Sequence, residues 1–517
     1  MNSHNVRNNI FKESLLNKDS FTVTCELVPG RGSRSKAQDR LLEFAEKAAL
    51  KGNIQALSIT ESAGGHPALS PEVLGKDILK LGVDPLVHLT CKDRNRNQLE
   101  SRLFAHGREE MYNLLIMGGD YPRYGFKGYA KPVFDLDTVQ LIRMADEMIR
   151  GFEVAKHAPG GGTTLPPIPF FKGCVISPFK KLESELMTQL FKLHKKIAAG
   201  ADFVITQVGF DARKFDEIIR YMRQNGLDVP ILGNVYIPSK AIASLMHQGA
   251  VPGCVVTDKL MSLYEEESFL PDAGKKNRLI RGARLIAILK GLGYDGVHIG
   301  GSQLNYEDIE FVLEKSNDFY PDWQRWTKEF SFPQKNGFYF FEFDAKSGLN
   351  TDMAVNRNKN VPRKSGFYCF NRWLHKNAFD KKGCLYPPLK TLCRIISGRS
   401  IEKLFAETEY FIKFSCFDCR MCGDCILSET AFLCPQSQCA KYLLNGPCGG
   451  SIDGWCEVYP GVKRCVYVRA YERLKSFNEE ESLKYNIIPP RDWYLNRKSS
   501  WINYFMGKGH EALKKYL

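Results

Sequence analysis

The stretch LLIMGGDYP at residues 114–122 has the pattern of a buried strand that ends in a loop. Its apolar run is followed by Gly118 and Gly119, which allow the backbone to come close to a ligand, and then by Asp120. One carboxylate after a strand is weak evidence for a site. Its significance depends on how many other strands end in the same way.

Eight short apolar or β-branched runs, including this one, alternate with longer segments of helical period. Helical segments such as residues 37–52 and 185–201 carry apolar residues every three or four positions and end near glycine. Strands that alternate with helices pair in parallel, and this length favours an α/β fold with a closed (β/α)8 TIM barrel over a doubly wound open sheet. The eight runs lie at residues 21–28, 54–60, 85–90, 112–118, 170–176, 202–208, 229–235 and 294–300. Residues 156–169, rich in Gly and Pro, are predicted to form a loop.

The composition is that of a soluble globular protein, with 44% hydrophobic and 25% charged residues in a chain of 517. The net charge of +14 suits an anionic partner such as a phosphorylated cofactor or a polyglutamylated substrate. We expect no nucleic-acid partner, since no arginine-rich tract or nucleic-acid motif is present. The polar N-terminus and the lack of any apolar stretch of ~20 residues predict a cytoplasmic protein without a membrane span.

Nine of the sixteen cysteines crowd into fifty residues, which favours a metal or iron–sulfur site over disulfides in a large chain. The first three have the CxxCxxC spacing of a [4Fe–4S] cluster, and Cys434 precedes Pro435, as a last cluster ligand often does. Two zinc sites remain an alternative. The nine candidate ligands are Cys416, Cys419, Cys422, Cys425, Cys434, Cys439, Cys448, Cys456 and Cys465.

These patterns divide the chain into four predicted parts. Residues 1–19 form an N-terminal extension and residues 20–315 the barrel. Residues 316–400 form an aromatic-rich linker region, and residues 401–517 a smaller cysteine-rich metal domain with a C-terminal tail.

Polar residues stand at the carboxyl end of five of the eight predicted strands, where TIM barrels carry their active sites. They are Glu26, Thr60, His88, Asp120 and Gln207. Each alone could simply cap a backbone group. Together they predict an active site at this end of the barrel.

The segments CELVPG, VHLTCKDRN, MGGDYP, AAGADFVITQ and VPILGNVYIPS, taken in this order, resemble the methylenetetrahydrofolate reductase family over about residues 15–315. This family is a flavin-dependent barrel. The resemblance implies FAD, or else FMN, as cofactor, NAD(P)H as a possible electron donor, and 5,10-methylenetetrahydrofolate as the substrate reduced to 5-methyltetrahydrofolate, one step of one-carbon metabolism.

The same resemblance implies roles for individual residues. Glu26 would be the general acid of ring opening, helped by a raised pKa, and Asp120 would stabilise the resulting cation between flavin and folate. Gln207 would bind the pterin amide edge. Flavin contacts are implied for Thr60, His88, Asp120 and Lys196. Where many members have an arginine, this chain has Gly118, so one contact to the flavin phosphates is absent or supplied differently.

Residues 400–475 resemble, through NGPCGG and the final CEV and CxYVxAYxRL patterns, the cysteine-rich partner domain found with such reductases in anaerobic bacteria. This implies that electrons could also arrive through the C-terminal domain from a ferredoxin-like or multi-subunit donor, and we expect the protein to be an oligomer. Two alternatives stay open at this point. One is a folate- or corrinoid-linked methyltransferase with thiolate-bound zinc, and the other is a non-catalytic scaffold or docking protein.

Overall fold

A computed structural model of the chain describes residues 7–154, 161–359 and 361–510. Eight parallel strands form a closed barrel in chain order, with β8 paired to β1, so the predicted TIM barrel is confirmed. The strands are β1 Thr22–Leu27, β2 Ala56–Ile59, β3 Asp84–Thr90, β4 Asn113–Met117, β5 Phe171–Ile176, β6 Phe203–Thr206, β7 Ile231–Ile237 and β8 Gly296–Gly301.

Helices on the outside of the barrel connect the strands and cover their apolar outer faces. They are α2 Lys36–Lys51, α3 Pro71–Lys80, α4 Arg96–Arg108, α5 Thr138–Arg150, α6 Glu183–Ala198, α7 Ala212–Gln224, α8 Lys240–His247, α9 Asp258–Glu267, α10 Lys275–Leu292 and, after β8, α11 Tyr306–Phe319. Part of the predicted loop at residues 156–169 lies outside the described residues.

Alternation along β1 decides which side chains enter the barrel. Val23, Cys25 and Leu27 belong to the apolar layer between strands and helices. Because successive side chains point to opposite faces of a strand, Thr24 and Glu26 point into the barrel. The interior near the carboxyl ends of the strands is therefore partly polar.

The opposite end of the barrel is closed by the short helix α1, Ile10–Leu16. Its Phe11 is fully buried and makes edge contacts with Phe171 and Phe203 at ring centroid distances of 5.7 and 5.3 Å. The Phe11 backbone N–H donates to Asp84 Oδ2 at 2.9 Å. This seal leaves the carboxyl ends of the strands as the accessible end of the barrel.

The segment after the barrel contains regular structure that its sequence did not indicate. A hairpin of β9 (Phe341–Asp344) and β10 (Leu349–Ala354) packs on α7, where Asn350 Nδ2 donates to Asp216 Oδ2 at 2.9 Å. The remaining helices are α12 Trp323–Trp326, α13 Gly366–Ala378, α14 Tyr386–Ile396, α15 Ile401–Phe417, α16 Pro435–Gln438, α17 Val466–Lys475 and α18 Ser500–Phe505. None of the described helices is both long and apolar enough to cross a membrane.

Candidate active site

Three ionisable side chains converge inside the barrel at the carboxyl end of its strands. Glu26 on β1, His88 on β3 and His298 on β8 place one ligand atom each within 4.8 Å of one another. Glu26 Oε2 lies 3.8 Å from His298 Nε2, and both imidazoles are buried. Among the described residues this is the one such group of three, and it includes a histidine that sequence reasoning missed.

The two ring nitrogens of His298 have different neighbours. Its Nδ1 lies 2.8 Å from the Thr24 hydroxyl, and its Nε2 faces Glu26. When the ring is charged, both nitrogens carry protons, and Nε2–H can donate to the Glu26 carboxylate.

The pKa of Glu26 is shifted in the direction opposite to the one predicted. Burial of the carboxyl raises its pKa, but the hydrogen bond from His298 and the charges that His298 and His88 carry when protonated lower it below its usual value. Burial lowers the pKa of His88 to about 4, so this ring is neutral near pH 7. A raised pKa was expected from burial alone, and the partners from β3 and β8 reverse it.

The glycine directly before Asp120 is explained by its surroundings. Gly119 has a φ of +80°, and a Cβ at this position would lie 2.8 Å from Lys92 Cδ and 3.0 Å from Thr90 Cβ. The turn carries Asp120 towards the loop after β2, where its Oδ2 accepts from the Gly64 backbone N–H at 2.8 Å. Asp120 is half-buried.

The other predicted site residues occupy three different environments. Thr60 follows β2, and its buried hydroxyl has no hydrogen-bond partner within the described part of the chain. Gln207 directly follows β6, is half-buried, and accepts the Val208 N–H through Oε1 at 2.9 Å. Lys196 is buried on α6, where its Nζ donates to the Val175 carbonyl of β5 at 2.5 Å. Burial lowers the pKa of Lys196 to about 8.

Comparison with known proteins identifies the family of the barrel. The family described as methylenetetrahydrofolate reductase matches residues 12–308, more than half of the chain. The chain belongs to this family. A second family, described as methylene-tetrahydrofolate reductase C terminal, matches residues 399–494.

Individual relatives of the methylenetetrahydrofolate reductase family are distant from this chain. Methylenetetrahydrofolate reductase 2 of Saccharomyces cerevisiae is 27% identical over 192 residues, which are 35% of this chain and 28% of the yeast protein. The probable NADPH-dependent reductase of Caenorhabditis elegans is 26% identical over 229 residues, 42% of this chain and 31% of the relative. The chain thus spans about a third of the length of these relatives.

Among solved structures, one match is described as an uncharacterized protein from Clostridium thermocellum that binds two copies of 5-methyl-5,6,7,8-tetrahydrofolic acid. It is 13% identical to this chain, with a TM-score of 0.42, and the match covers 60% of this chain and 99% of the other.

The C-terminal region of this family member lies directly on its barrel through the NGPCGG run at residues 445–450. Lys192 on α6 donates to the carbonyls of Gly446 and Pro447 at 3.1 and 3.0 Å. Lys180, after β5, donates to the carbonyls of Gly449 and Ser451. Both lysines are buried, so the run is bound by charged donors shielded from water.

This loop also approaches the predicted pterin-binding residue. A Cβ on Gly253 would lie 3.1 Å from the Gly449 carbonyl and 3.4 Å from Gln207 Nε2. Gly449 itself has a φ of +100° and lies against Ser177, whose buried hydroxyl has no hydrogen-bond partner among the described residues. The NGPCGG run therefore forms part of the wall around the carboxyl ends of β5 and β6.

Asp137 anchors the loop to the barrel and caps a barrel helix at the same time. Its Oδ1 accepts from the N–H groups of Val139 and Gln140 at the start of α5. Its Oδ2 accepts from the N–H groups of Leu444 and Asn445 at 3.1 and 2.7 Å. Asp137 is 2% exposed, so removal of its carboxylate would leave buried donors without partners.

We expect Asp137→Ala to lower the free energy of unfolding by about 3 kcal/mol or more, because it removes a helix cap and leaves buried N–H groups unsatisfied. Asn95 caps α4 through Gln98 N–H at 3.1 Å and is exposed, so Asn95→Ala is the matched control and should cost about 1 kcal/mol. Urea denaturation measures both. Equal losses in the two variants would contradict the anchoring role of Asp137.

A lysine from the C-terminal region reaches the loop that carries Asp120. Lys441 is 4% exposed, donates to the Gly119 carbonyl at 2.7 Å and pairs with Glu457. The next barrel residue, Tyr121, interacts with Tyr459, and burial with this neighbour raises the pKa of Tyr121 to about 12. The sequence offered no signal for the contacts of Lys441 with Gly119 and of Tyr121 with Tyr459, because these partners are more than 300 residues apart.

Eight of the nine predicted cysteine ligands divide into two groups of four. Cys419, Cys422, Cys425 and Cys434 line one cavity together with Lys413 of α15. Cys439, Cys448, Cys456 and Cys465 lie close enough to interact electrostatically with one another. Cys416, at the end of α15, is exposed and does not line the cavity of the first group.

The spacing of the sulfur atoms bears on what each group could hold. Tetrahedral zinc with Zn–S bonds of about 2.3 Å would bring its sulfurs to about 3.8 Å from one another. Among the described residues no three cysteine sulfurs lie within 4.8 Å of one another. Both groups are therefore spread more widely than the ligands of a single zinc ion.

Proposed function

We propose that this protein reduces 5,10-methylenetetrahydrofolate to 5-methyltetrahydrofolate with a bound flavin as hydride donor. The observation that carries the proposal is the placement of Glu26 and His298 as an ion-pairing couple at the carboxyl end of the barrel, where Asp120 also lies. Membership of the methylenetetrahydrofolate reductase family supports the reaction. The chain spans only part of its curated relatives, so the activity of the whole protein is part of the proposal.

The residues at the carboxyl end of the barrel suit a flavin. The buried, unpartnered hydroxyl of Thr60 is available to a ligand, and the neutral ring of His88 can contact an uncharged ring system. Together with Asp120 and Lys196 these side chains would hold the flavin, as FAD or FMN. Flavin supplies the hydride that the opened substrate ring accepts.

Ring opening needs a proton at the leaving nitrogen, and the Glu26–His298 pair can store it. When His298 is charged, its Nε2–H faces the Glu26 carboxylate. Transfer of this proton gives neutral His298 and the carboxylic acid form of Glu26, which then protonates the folate nitrogen. Asp120 stabilises the cation formed by ring opening, and Gln207 binds the pterin amide edge.

If Glu26 and His298 share a proton, the pKa of Glu26 changes when His298 is replaced. In His298→Gln the pKa of Glu26 should rise, because the charge of His298, which lowers it, disappears while burial, which raises it, remains. Other ionisable groups near this site, among them His88, Tyr236, Cys254 and Asp120, keep their identity in the variant.

Infrared difference spectra measure this pKa through the C=O stretch of the protonated carboxyl. The band that belongs to Glu26 is the one that is missing from the spectrum of Glu26→Gln. The turnover of His298→Gln should fall by more than about tenfold. A band that titrates at the same pH with and without His298 would exclude the sharing of a proton.

We also propose that the two cysteine groups hold iron–sulfur clusters through which electrons reach the flavin. Their wide sulfur spacing favours clusters over single zinc ions. Cys434 of the first group and Cys439 of the second flank the single turn of α16, which places them about 8 Å apart along the helix. The second group interacts through Cys456 with Tyr121, beside Asp120.

Anaerobic purification followed by flavin, iron and zinc analysis tests the proposal in one experiment. We expect one flavin per chain, iron in excess of zinc, and oxidation of 5-methyltetrahydrofolate with an artificial acceptor. A protein without flavin that does not oxidise this folate would refute the proposed reaction. We expect the enzyme to be cytoplasmic, where thiolate ligands stay reduced.

A further inference from the structure

Large aromatic side chains are exposed on two helices that lie beside the first cysteine group. On α13, Phe367, Phe370 and Trp373 are 43%, 56% and 59% exposed. On α15, Phe411 and Phe414 are 71% and 51% exposed. We call these five residues the aromatic face. Exposed apolar area of this kind is uncommon on soluble proteins and marks interaction sites.

Ring contacts connect the aromatic face to the cysteine group. Phe367 lies 5.7 Å from Phe417 between ring centroids, and Phe417 lines the cavity that Cys419 and its three partners share. Phe414 lies two residues before the exposed Cys416 on the same helix. One side of α15 therefore faces the cysteines, and its other side faces solvent.

The segment that includes α13 and the start of α15 is strongly basic. Residues 361–403 contain ten Lys and Arg residues and two acidic ones, so more than half of the net charge of +14 comes from these 43 residues. Lys376 on α13 and Lys403 on α15 are exposed. A second copy of the chain would bring the same positive charge to this face and be repelled, whereas an acidic partner would be attracted.

We propose that the aromatic face is the docking site of an acidic electron-transfer protein that reduces the first cysteine group. This inference rests on the cluster-binding part of the proposed function. The aromatic side chains supply the apolar centre of the contact, and the surrounding lysines and arginines steer the acidic partner towards it. The step transfers one electron, which oxidises the partner and reduces the cluster held by Cys419, Cys422, Cys425 and Cys434.

A bacterial [4Fe–4S] ferredoxin, which is small and acidic, serves as the probe. Stopped-flow spectroscopy under anaerobic conditions follows the bleaching of the clusters in the whole protein after it is mixed with reduced ferredoxin. We expect a second-order rate that falls steeply with ionic strength, as for an electrostatically steered encounter.

Two double variants test where the partner docks. Lys376→Glu with Lys403→Glu should lower the ferredoxin rate at low salt by about tenfold or more, since it reverses two charges beside the aromatic face. Lys36→Glu with Arg40→Glu reverses two exposed charges on α2 and serves as the matched control, with an unchanged rate. Phe411→Ser should also slow ferredoxin and leave reduction by dithionite unchanged.

The outcomes separate this inference from the proposed function. If dithionite bleaches no cluster and iron is absent, the cluster proposal itself fails. If dithionite reduces clusters but the ferredoxin rate is the same in all variants, the docking site is refuted. Two further results would overturn the proposal of an electron-transfer partner. One is binding of anionic phosphatidylglycerol vesicles through the aromatic face, and the other is loss of an oligomer in Phe411→Ser.

Discussion

Glu26→Gln should lower the rate of folate reduction by about 10²–10⁴-fold, the range that general acid catalysis contributes. The amide keeps the size of the carboxyl group but can neither share a proton with His298 nor deliver one to the leaving nitrogen. The oxidation of 5-methyltetrahydrofolate with an artificial acceptor measures the same chemistry in reverse.

The flavin content of Glu26→Gln shows whether lost activity comes from lost proton transfer or from lost cofactor binding. The absorbance of the flavin and its reduction by dithionite should be unchanged in Glu26→Gln, because neither step needs the folate proton. Loss of the flavin would show that Glu26 binds the cofactor instead. A variant that keeps full folate activity would show that the proton comes from another group.

Cys425→Ser should remove most of the iron of the first cysteine group, while Cys416→Ser should remove none. The two cysteines belong to the same CFDCRMCGDC run, so they form a matched pair. Cys425 lines the cavity with Cys419, Cys422 and Cys434, whereas Cys416 is exposed at the end of α15. A serine hydroxyl is a poor substitute for the thiolate that iron requires.

Iron analysis and the cluster absorbance measure the difference between these variants. Reduction of the flavin by an external protein donor should be lost together with the iron in Cys425→Ser and retained in Cys416→Ser. Equal iron contents in the two variants would mean that the first group is not a cluster site.

The barrel could be predicted from sequence because its signals are local. Each strand is a short apolar run, and each helix has apolar residues every three or four positions. Strands and helices of these lengths that alternate along the chain are compatible with few topologies. Glu26, Thr60, Asp120 and Gln207 could be placed at one end for the same reason, since parallel strands share the direction of their carboxyl ends.

The parts of the site that sequence reasoning missed depend on contacts between distant residues. His298 lies within β8, where one histidine in a strand gives no sign that it faces Glu26 from the neighbouring strand. The predicted rise of the Glu26 pKa was wrong in direction for this reason. Lys441 gave no signal either, since its contact with Gly119 forms only once the C-terminal region packs on the barrel.

The cysteine groups show the limit of spacing arguments. The CxxCxxC pattern fits Cys416, Cys419 and Cys422 as well as it fits Cys419, Cys422 and Cys425. Our proposal uses the second set, because α15 continues through Cys416 and leaves this residue in solvent. Which later cysteines join each group is a matter of tertiary packing.

The contact between the NGPCGG run and the barrel has a further consequence, because its two sides belong to one polypeptide. A covalent connection replaces encounter between separate molecules by an effective concentration in the millimolar range. The contact therefore needs little intrinsic affinity to stay formed. If the contact opens, the chain keeps its two halves together and it forms again without their diffusing apart, which separate subunits could achieve only at high concentration.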